Sequence, residues 1–216
     1  MFTDRREAGR LLAQHLEEFS GKDSVVLALP RGGVPVAAEI CAAIGAPLGL
    51  LPVRKIGLPG QSELAVGAIA RHNKEARDIN ADILAATGLG EDEIKTLTER
   101  ARQELEVRTR KLLPDGAALL DPKGKTAILV DDGIATGATM RAAIEAMRLE
   151  GAREVIVAVP VGAPDVVADM AKRVDKIVCP SQPRPFRSVG EHYLQFGQVE
   201  DEEVRQTLDQ FNRRQQ

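Results

Sequence analysis

One ten-residue segment combines the residue types that bind a phosphorylated ligand carrying hydroxyl groups. It reads VDDGIATGAT and spans residues 130–139. The carboxylates of Asp131 and Asp132 can accept hydrogen bonds from hydroxyls or hold a hydrated cation. The next residues enter a predicted helix, where backbone N–H groups, hydroxyls and the helix N-terminus favour an anion. These anion-binding candidates are Ala135, Thr136, Gly137, Ala138 and Thr139. A sugar phosphate presents its groups in the matching order.

The same segment excludes two common nucleotide-binding patterns. It lacks the GxxxxGK[ST] spacing of a Walker loop, and no GxGxxG follows a strand. An acid pair at the end of a strand can also simply cap the loop that follows. The complete ten-residue string favours ligand binding over that alternative.

The acid pair must be positioned by a sheet, and the apolar runs indicate which kind. Short apolar runs that alternate with helical segments predict an α/β fold: a Rossmann-like parallel sheet of about five strands flanked by helices. The runs are 24–29, 47–53, 126–130, 155–159 and 176–179, with a further candidate strand at 63–70. In such sheets, ligands bind at the carboxyl ends of the strands, where the strand order reverses.

The helical segments complete a single predicted domain over residues 1–216. Apolar spacing predicts helices at 3–19, with Thr3 as the cap, and at about 35–44. The charged stretch 74–113 is predicted to be a helical insertion that covers part of the domain. Residues 180–216 would form a small C-terminal hood, and four of the six aromatic residues lie there. They are Phe186, Tyr193, Phe196 and Phe211.

Composition excludes several classes of protein. The 216 residues are 44% hydrophobic with a net charge of −3, so there is no electrostatic case for a nucleic-acid partner. Cys41 and Cys179 cannot form a disulfide framework and have no metal-ligand spacing. The N-terminus lacks a signal-peptide pattern and no apolar run reaches about 18 residues, so we expect no membrane partner and a cytoplasmic location. The histidines His15, His72 and His192 have no motif around them.

The VDDGIATGAT segment resembles the phosphoribosyl-pyrophosphate motif of the type I phosphoribosyltransferases. The resemblance extends over roughly residues 24–180 and implies that family's fold. It implies that Asp131 and Asp132 are catalytic residues that hold the ribose 2- and 3-hydroxyls, and that the 135–139 loop binds the 5-phosphate. It also implies Mg²⁺, held by the two aspartates indirectly through ribose hydroxyls or water. The partners would be phosphoribosyl pyrophosphate, a nitrogenous base and a second copy in a homodimer.

Two further segments fit the resemblance. Arg31, Gly32 and Gly33 follow the first predicted strand, where the family places its pyrophosphate loop; an ordinary turn is the alternative. The glycines would let backbone amides approach an anion closely. The segment 54–61, RKIGLPGQ, is rich in Gly and Pro and predicts an exposed loop. In the family a flexible loop here closes over the site, so Arg54 or Lys55 could neutralise the departing pyrophosphate, although solvated surface charges are the alternative.

The acceptor is the part that the sequence leaves open. In the family a variable hood holds the base, and here Phe186 could stack on it while the backbone of Ser188 and Val189 reads its edge. Phe186 packing into a local cluster is the alternative. Family members that use 6-oxopurines carry an acid at the position of Ala135, which weakens the resemblance to that subgroup. The chain is also similar to stand-alone phosphoribosyltransferases of unassigned acceptor.

Two other functions remain open at this point. One is a regulator that binds phosphoribosyl pyrophosphate or a nucleotide without catalysis. The other is a different sugar-phosphate or nucleotide enzyme, such as a hydrolase, on the same kind of sheet.

Overall fold

A five-stranded parallel sheet forms the centre of the protein, as the apolar runs predict. The computed structural model describes residues 1–58, 61–113 and 119–213. The helices are α1 (Arg5–Gln14), α2 (Gly33–Ile44), α3 (Ala81–Thr87), α4 (Glu91–Leu112), α5 (Ala138–Glu150), α6 (Pro164–Met170) and α7 (Asp201–Arg213). The strands are β1 (Ser24–Ala28), β2 (Leu48–Leu50), β3 (Val53–Leu58), β4 (Gln61–Arg71), β5 (Glu75–Ile79), β6 (Thr126–Val130), β7 (Glu154–Ala158) and β8 (Lys176–Val178).

Both faces of the parallel sheet are buried, which explains why its strands are apolar without alternation. In β1, Val26 and Ala28 face a cluster formed with α1, α2 and α7. Val25 and Leu27 face the opposite cluster, formed with α5 and with alanines of β4 and β5. Aliphatic side chains therefore fill both layers.

The strand order β2-β1-β6-β7-β8 reverses between β1 and β6. From β1 the chain continues to β2 on one side, and from β6 it continues to β7 and β8 on the other. The loops after β1 and β6 therefore lie side by side, and the Leu29 N–H donates a hydrogen bond to the Val130 carbonyl at 2.8 Å. This is the reversal point at which the sequence predicts ligand binding.

The prediction of an exposed loop at 54–61 is wrong for the described residues. β3, β4 and β5 form a separate antiparallel sheet, in which β3 and β4 pair from Val53↔Ala70 to Leu58↔Gln61. Pro59 and Gly60 lie outside the described residues. The predicted strand at 63–70 exists, but it belongs to this second sheet. Alternate residues explain the error: Ile56 is fully buried while its neighbours Lys55 and Gly57 are exposed, so the segment has the period of a half-buried strand.

The predicted insertion at 74–113 begins with a strand rather than a helix. β5 occupies its first residues, and α3 and α4 follow. The buried face of α4 packs on the antiparallel sheet through Ala101 and Leu105, which contact Ile56, Val66 and Ile69. This third hydrophobic cluster holds α4 over the end of the parallel sheet.

The N-terminal residues pair with the segment that precedes α7. The Phe2 N–H donates to the His192 carbonyl at 2.8 Å, and the Leu194 N–H donates to the Phe2 carbonyl at 2.8 Å. α1 begins at Arg5 and is capped by Asp4 rather than by Thr3, since the Glu7 N–H donates to Asp4 Oδ1 at 2.8 Å. α1 ends at Gln14, earlier than predicted, and a short 3₁₀ turn follows at Glu17–Phe19.

In the described part of the chain, the helices are too short or too polar to cross a lipid bilayer.

We expect the packing of α4 to contribute strongly to stability. Leu105 is 1% exposed, and Leu105→Ala should lower the free energy of unfolding by about 3 kcal/mol, because it leaves a cavity between α4 and the antiparallel sheet. Val107→Ala is the matched control, since Val107 lies on the same helix and is 55% exposed. Urea unfolding of both variants measures the difference. Equal effects would contradict the packed arrangement.

Candidate active site

A cavity of about 910 Å³ opens at the carboxyl ends of β1 and β6. Its floor is the loop after β6 and the start of α5, and its roof is β3 and α4. The floor residues include Asp131, Gly133, Ala135, Thr136, Gly137 and Thr139, and the roof residues include Arg54, Lys55, Leu97, Arg100 and Glu104. The chemical motif found in the sequence thus lines a covered cavity.

Asp131 is the member of the acid pair that lines this cavity. Its Oδ1 accepts a hydrogen bond from the Asp132 N–H at 2.8 Å. Burial raises the pKa of Asp131 well above its usual value, and the neighbouring charge of Asp132 raises it further. More distant positive charges, on Arg5 and Lys55, oppose this shift. Burial therefore favours the protonated form of Asp131, whose carboxyl group has no salt-bridge partner among the described residues.

Asp132 has a different environment, because its carboxylate meets Arg5. Arg5 Nε donates to Asp132 Oδ2 at 2.8 Å, and the two side chains are only 12% and 14% exposed. Burial raises the pKa of Asp132, and the hydrogen bond from Arg5 acts against that shift. Arg5 is itself held by the Phe196 ring, 3.9 Å from the guanidinium carbon, and by the Gly197 carbonyl at 2.7 Å.

The 135–139 loop ends in the first turn of α5, whose leading N–H groups have no partner within the helix. Gly137 adopts φ +76°, and a Cβ there would lie 2.8 Å from Val166 Cγ1, so the turn requires glycine. Arg141 fixes the loop from behind: its Nη1 donates to the Thr136 carbonyl at 3.2 Å and its Nε donates to Asp78 Oδ2 at 2.8 Å. The result is a preformed donor-rich loop.

The Pro30–Gly33 loop packs directly against the acid pair. A Cβ on Gly32 would lie 2.1 Å from Asp132 Oδ2, and one on Gly33 would lie 2.4 Å from the Val130 carbonyl oxygen. Only glycine fits at either position. The peptide bond between Pro30 and Arg31 is cis. The Arg31 side chain extends to α7 rather than to the acid pair, and its Nη1 donates to Asp201 Oδ1 there at 3.1 Å.

The roof carries its own ion pairs. Glu104 of α4 accepts from Arg54 Nε at 3.0 Å and from Arg54 Nη2 at 2.5 Å, and from Arg100 Nε at 3.1 Å. Lys55 is exposed and lines the cavity. Both roof cations of the predicted loop, Arg54 and Lys55, lie in β3.

The comparisons with known proteins agree with this geometry. The family model described as "Phosphoribosyl transferase domain" matches residues 4–192. The chain belongs to the phosphoribosyl transferase family. It is 44% identical over 213 residues to two Mycobacterium tuberculosis proteins, named "Putative phosphoribosyl transferase MT0597" in strain CDC 1551 / Oshkosh and "Putative phosphoribosyl transferase Rv0571c" in strain ATCC 25618 / H37Rv. These alignments cover 99% of this chain and 47% of each relative, so the chain spans about half their length.

A solved structure is similar over almost its whole length. The crystal structure of TT1426 from Thermus thermophilus is 38% identical in sequence, with a TM-score of 0.79. The similarity covers 98% of this chain and 99% of that one. The predicted phosphoribosyltransferase fold is thereby confirmed.

The three base-binding candidates of this chain lie in different surroundings. Val189 lines the cavity, and a Cβ on Gly133 would meet Val189 Cγ1 at 2.6 Å. Ser188 is exposed. The Phe186 ring stacks on His192 with centroids 5.2 Å apart and packs beside Tyr193. The role of all three in acceptor binding stays a prediction.

Several residues at the site were missed by the sequence analysis. Arg5 and Tyr193 support the acid pair, and Tyr193 Oη donates to the Asp132 carbonyl at 2.6 Å. Glu104 accepts from Arg54 in the roof, and Arg141 donates to the 135–139 loop. The sequence position of Arg141 could have indicated its role, because Arg141 follows the motif by two residues at the start of a helix. The others reach the site from distant segments that carry no motif.

The donor set also fits the Mg²⁺ that the family implies. Asp131 presents a buried carboxylate with a raised pKa to the cavity, and Asp132 lies next to it. Carboxylate oxygens supplemented by water and ligand oxygens are the ligands that Mg²⁺ prefers.

The raised pKa of Asp131 predicts a stability that depends on pH. Burial disfavours the charged form in the folded state, so the folded protein loses stability as the pH rises from the unfolded pKa to the folded pKa. Asp131→Asn removes this cost and should raise the free energy of unfolding by about 1 kcal/mol at pH 8, with the gain shrinking toward pH 4. Urea unfolding at both pH values measures it. Asp209→Asn, on the exposed face of α7, is the control substitution, and a loss of stability in Asp131→Asn at pH 8 would contradict the expectation.

Proposed function

We propose that this phosphoribosyl transferase moves a 5-phosphoribosyl group from phosphoribosyl pyrophosphate to a nitrogenous base, releasing pyrophosphate in a Mg²⁺-dependent reaction. The observation that carries the proposal is the position of Asp131, which lines the cavity beside the N-terminus of α5 and has no salt-bridge partner among the described residues. A carboxylate and an anion-binding helix end, side by side, suit a ligand with vicinal hydroxyls and a phosphate.

Each part of the donor has a matching group in the chain. Asp131 and Asp132 would accept hydrogen bonds from the ribose 2- and 3-hydroxyls. The 135–139 loop would bind the 5-phosphate through its backbone N–H groups and threonine hydroxyls. The backbone at Arg31, Gly32 and Gly33 would bind the pyrophosphate. Magnesium, when bound, would neutralise part of the pyrophosphate charge.

The reaction needs positioning and charge stabilisation more than a protein nucleophile. The bond from the anomeric carbon to the pyrophosphate oxygen breaks, and a bond from that carbon to a base nitrogen forms. The base nitrogen gives its proton to solvent or to the released pyrophosphate, and positive charge develops on the ribose in the transition state. Fixed carboxylates near the ribose would stabilise that charge. Lys55 of the roof would face the departing pyrophosphate.

Water competes with the base for the ribosyl carbon, so the roof matters. β3 and α4 cover the cavity, and their packing through Ile56 and Leu105 holds them there. Exclusion of water would favour transfer to the base over hydrolysis.

The proposed reaction takes place in the cytoplasm, where the thiols of Cys41 and Cys179 would stay reduced. The proposal also includes the homodimer that the family resemblance implies.

A screen of nucleobases tests the proposal. Purified protein with phosphoribosyl pyrophosphate and Mg²⁺ is offered each base in turn, and pyrophosphate release is measured. We expect release with at least one base and a phosphoribosylated product. Tight donor binding without turnover on any base would instead identify a binding protein, and release of free phosphate would identify a hydrolase.

The acid pair provides a prediction about donor binding. The double variant Asp131→Asn, Asp132→Asn should weaken donor binding by more than about 100-fold, because two charge-assisted hydrogen bonds are lost. Calorimetry with Mg²⁺ and phosphoribosyl pyrophosphate measures the affinity. Asp209→Asn serves as the control and should bind as the wild type does. Unchanged affinity in the double variant would refute the assignment.

The C-terminal hood provides a prediction about acceptor binding. Val189→Ala should raise the KM for the acceptor several-fold and leave the donor affinity unchanged, because the valine methyl groups lie at the cavity beside Gly133. Steady-state kinetics with the acceptor found in the screen measures both constants. Phe186→Ala, measured alongside, shows whether the ring binds the base or only stabilises the cluster around Tyr193. An unchanged KM in both variants would place the acceptor site elsewhere.

A further inference from the structure

A second cavity of about 450 Å³ lies beside the first and has a marked positive charge. Four cationic and two anionic side chains line it, although the whole protein carries a net charge of −3. They are Arg31, Arg54, Arg108, Lys111, Glu104 and Asp201. The cavity therefore has an excess of two positive charges.

Arg31 directs its side chain into this second cavity. It is 16% exposed and is paired with Asp201 at 3.1 Å and with Glu200 at 3.9 Å. Its backbone belongs to the loop packed against the acid pair. Pro30 of the same loop lines the first cavity, so the loop borders both cavities.

Arg108 is the unbalanced charge in the cavity. Among the residues that the structure describes, it has no carboxylate within ion-pair distance. Burial lowers the pKa of Arg108, the positive charges of Arg31 and Arg54 lower it further, and the charge of Asp201 opposes this shift. Arg31 is paired with Asp201 and Arg54 with Glu104, so Arg108 is the guanidinium group of the three that a further anion would balance.

The other arginines of α4 show that this imbalance is local. Arg100, Arg102 and Arg110 each pair with a glutamate three or four residues away on the same helix. The glutamate at the corresponding position for Arg108 is Glu104, and it is engaged by Arg54 and Arg100. The residue three positions after Arg108 is Lys111, a second cation. The helix therefore pairs its arginines everywhere except at this cavity.

We propose that the second cavity is an anion-binding site, separate from the donor site, that takes a phosphoryl anion such as inorganic diphosphate or a phosphomonoester. Arginine forks hydrogen-bond to two phosphate oxygens at once, and the excess of positive charge favours a multiply charged anion. Arg54 and Glu104 line both cavities, and the Arg31 loop borders both. An anion that draws Arg31 from Asp201, or Arg54 from Glu104, would alter the donor site.

The coupling between the sites rests on the proposed function, whereas anion binding does not. Two sources supply such an anion: the pyrophosphate that the proposed reaction releases, and the phosphate group of a nucleotide. Calorimetry with inorganic diphosphate, and separately with adenosine monophosphate, distinguishes them. Stronger Arg108-dependent binding of diphosphate indicates the product, and stronger binding of the nucleotide indicates an effector.

Arg108→Gln is the variant that tests the site. We expect it to weaken binding of the preferred anion at least 10-fold, with Arg108→Lys intermediate. Binding of phosphoribosyl pyrophosphate with Mg²⁺ should be unchanged. Arg110→Gln is the matched control, since Arg110 lies on the same helix with its side chain 78% exposed, and it should bind as the wild type does. The thermal transition of each variant verifies folding.

Two results would overturn the proposal. Wild-type affinity for both anions in Arg108→Gln would show that the cavity binds neither. Equal weakening of anion and donor binding would make Arg108 part of the donor site, which leaves the proposed function intact. Conversely, Arg108-dependent anion binding in a protein that fails to bind the donor would support the second site while refuting the proposed function.

Discussion

The close approach of two loops at the reversal of the parallel sheet determines the rest of the site. Gly32 and Gly33 touch Asp132 and the Val130 carbonyl so closely that a methyl group would fit at neither position. Because these residues have no side chains, the loop after β1 can share one edge of the sheet with the acid pair. The start of α5 then lies at the same edge, and Asp131, Pro30 and the start of the helix line one cavity.

The two aspartates of the acid pair have different surroundings. Asp132 is hydrogen-bonded to Arg5 and packed against Gly32, so its position is fixed. Asp131 keeps a carboxylate toward the cavity without an equivalent cation. The charged form of Asp131 is therefore costly in the folded protein, and a proton, a metal ion or a ligand hydroxyl bound there would lower that cost.

The sequence predicted those features that depend on residues near one another in the chain. Buried strands appear as apolar runs, and the motif at 130–139 carries its own loop and helix start. The antiparallel sheet was missed because glycine, proline and charged residues at 54–61 resemble a loop. The direction of Arg31 depends on Asp201, 170 positions away, and the contact of Arg5 with Asp132 spans 127 positions. Such pairs follow from the packing of α1 and α7, which no local pattern encodes.

The antiparallel sheet and α4 share a hydrophobic cluster of their own, built around Ile56, Val66 and Leu105. Substitutions on the cavity-facing side of α4 can therefore change the shape and charge of the cavity while the cluster that anchors the helix stays intact. The loops at the sheet reversal have no such freedom, because their glycines pack against backbone and carboxylate atoms.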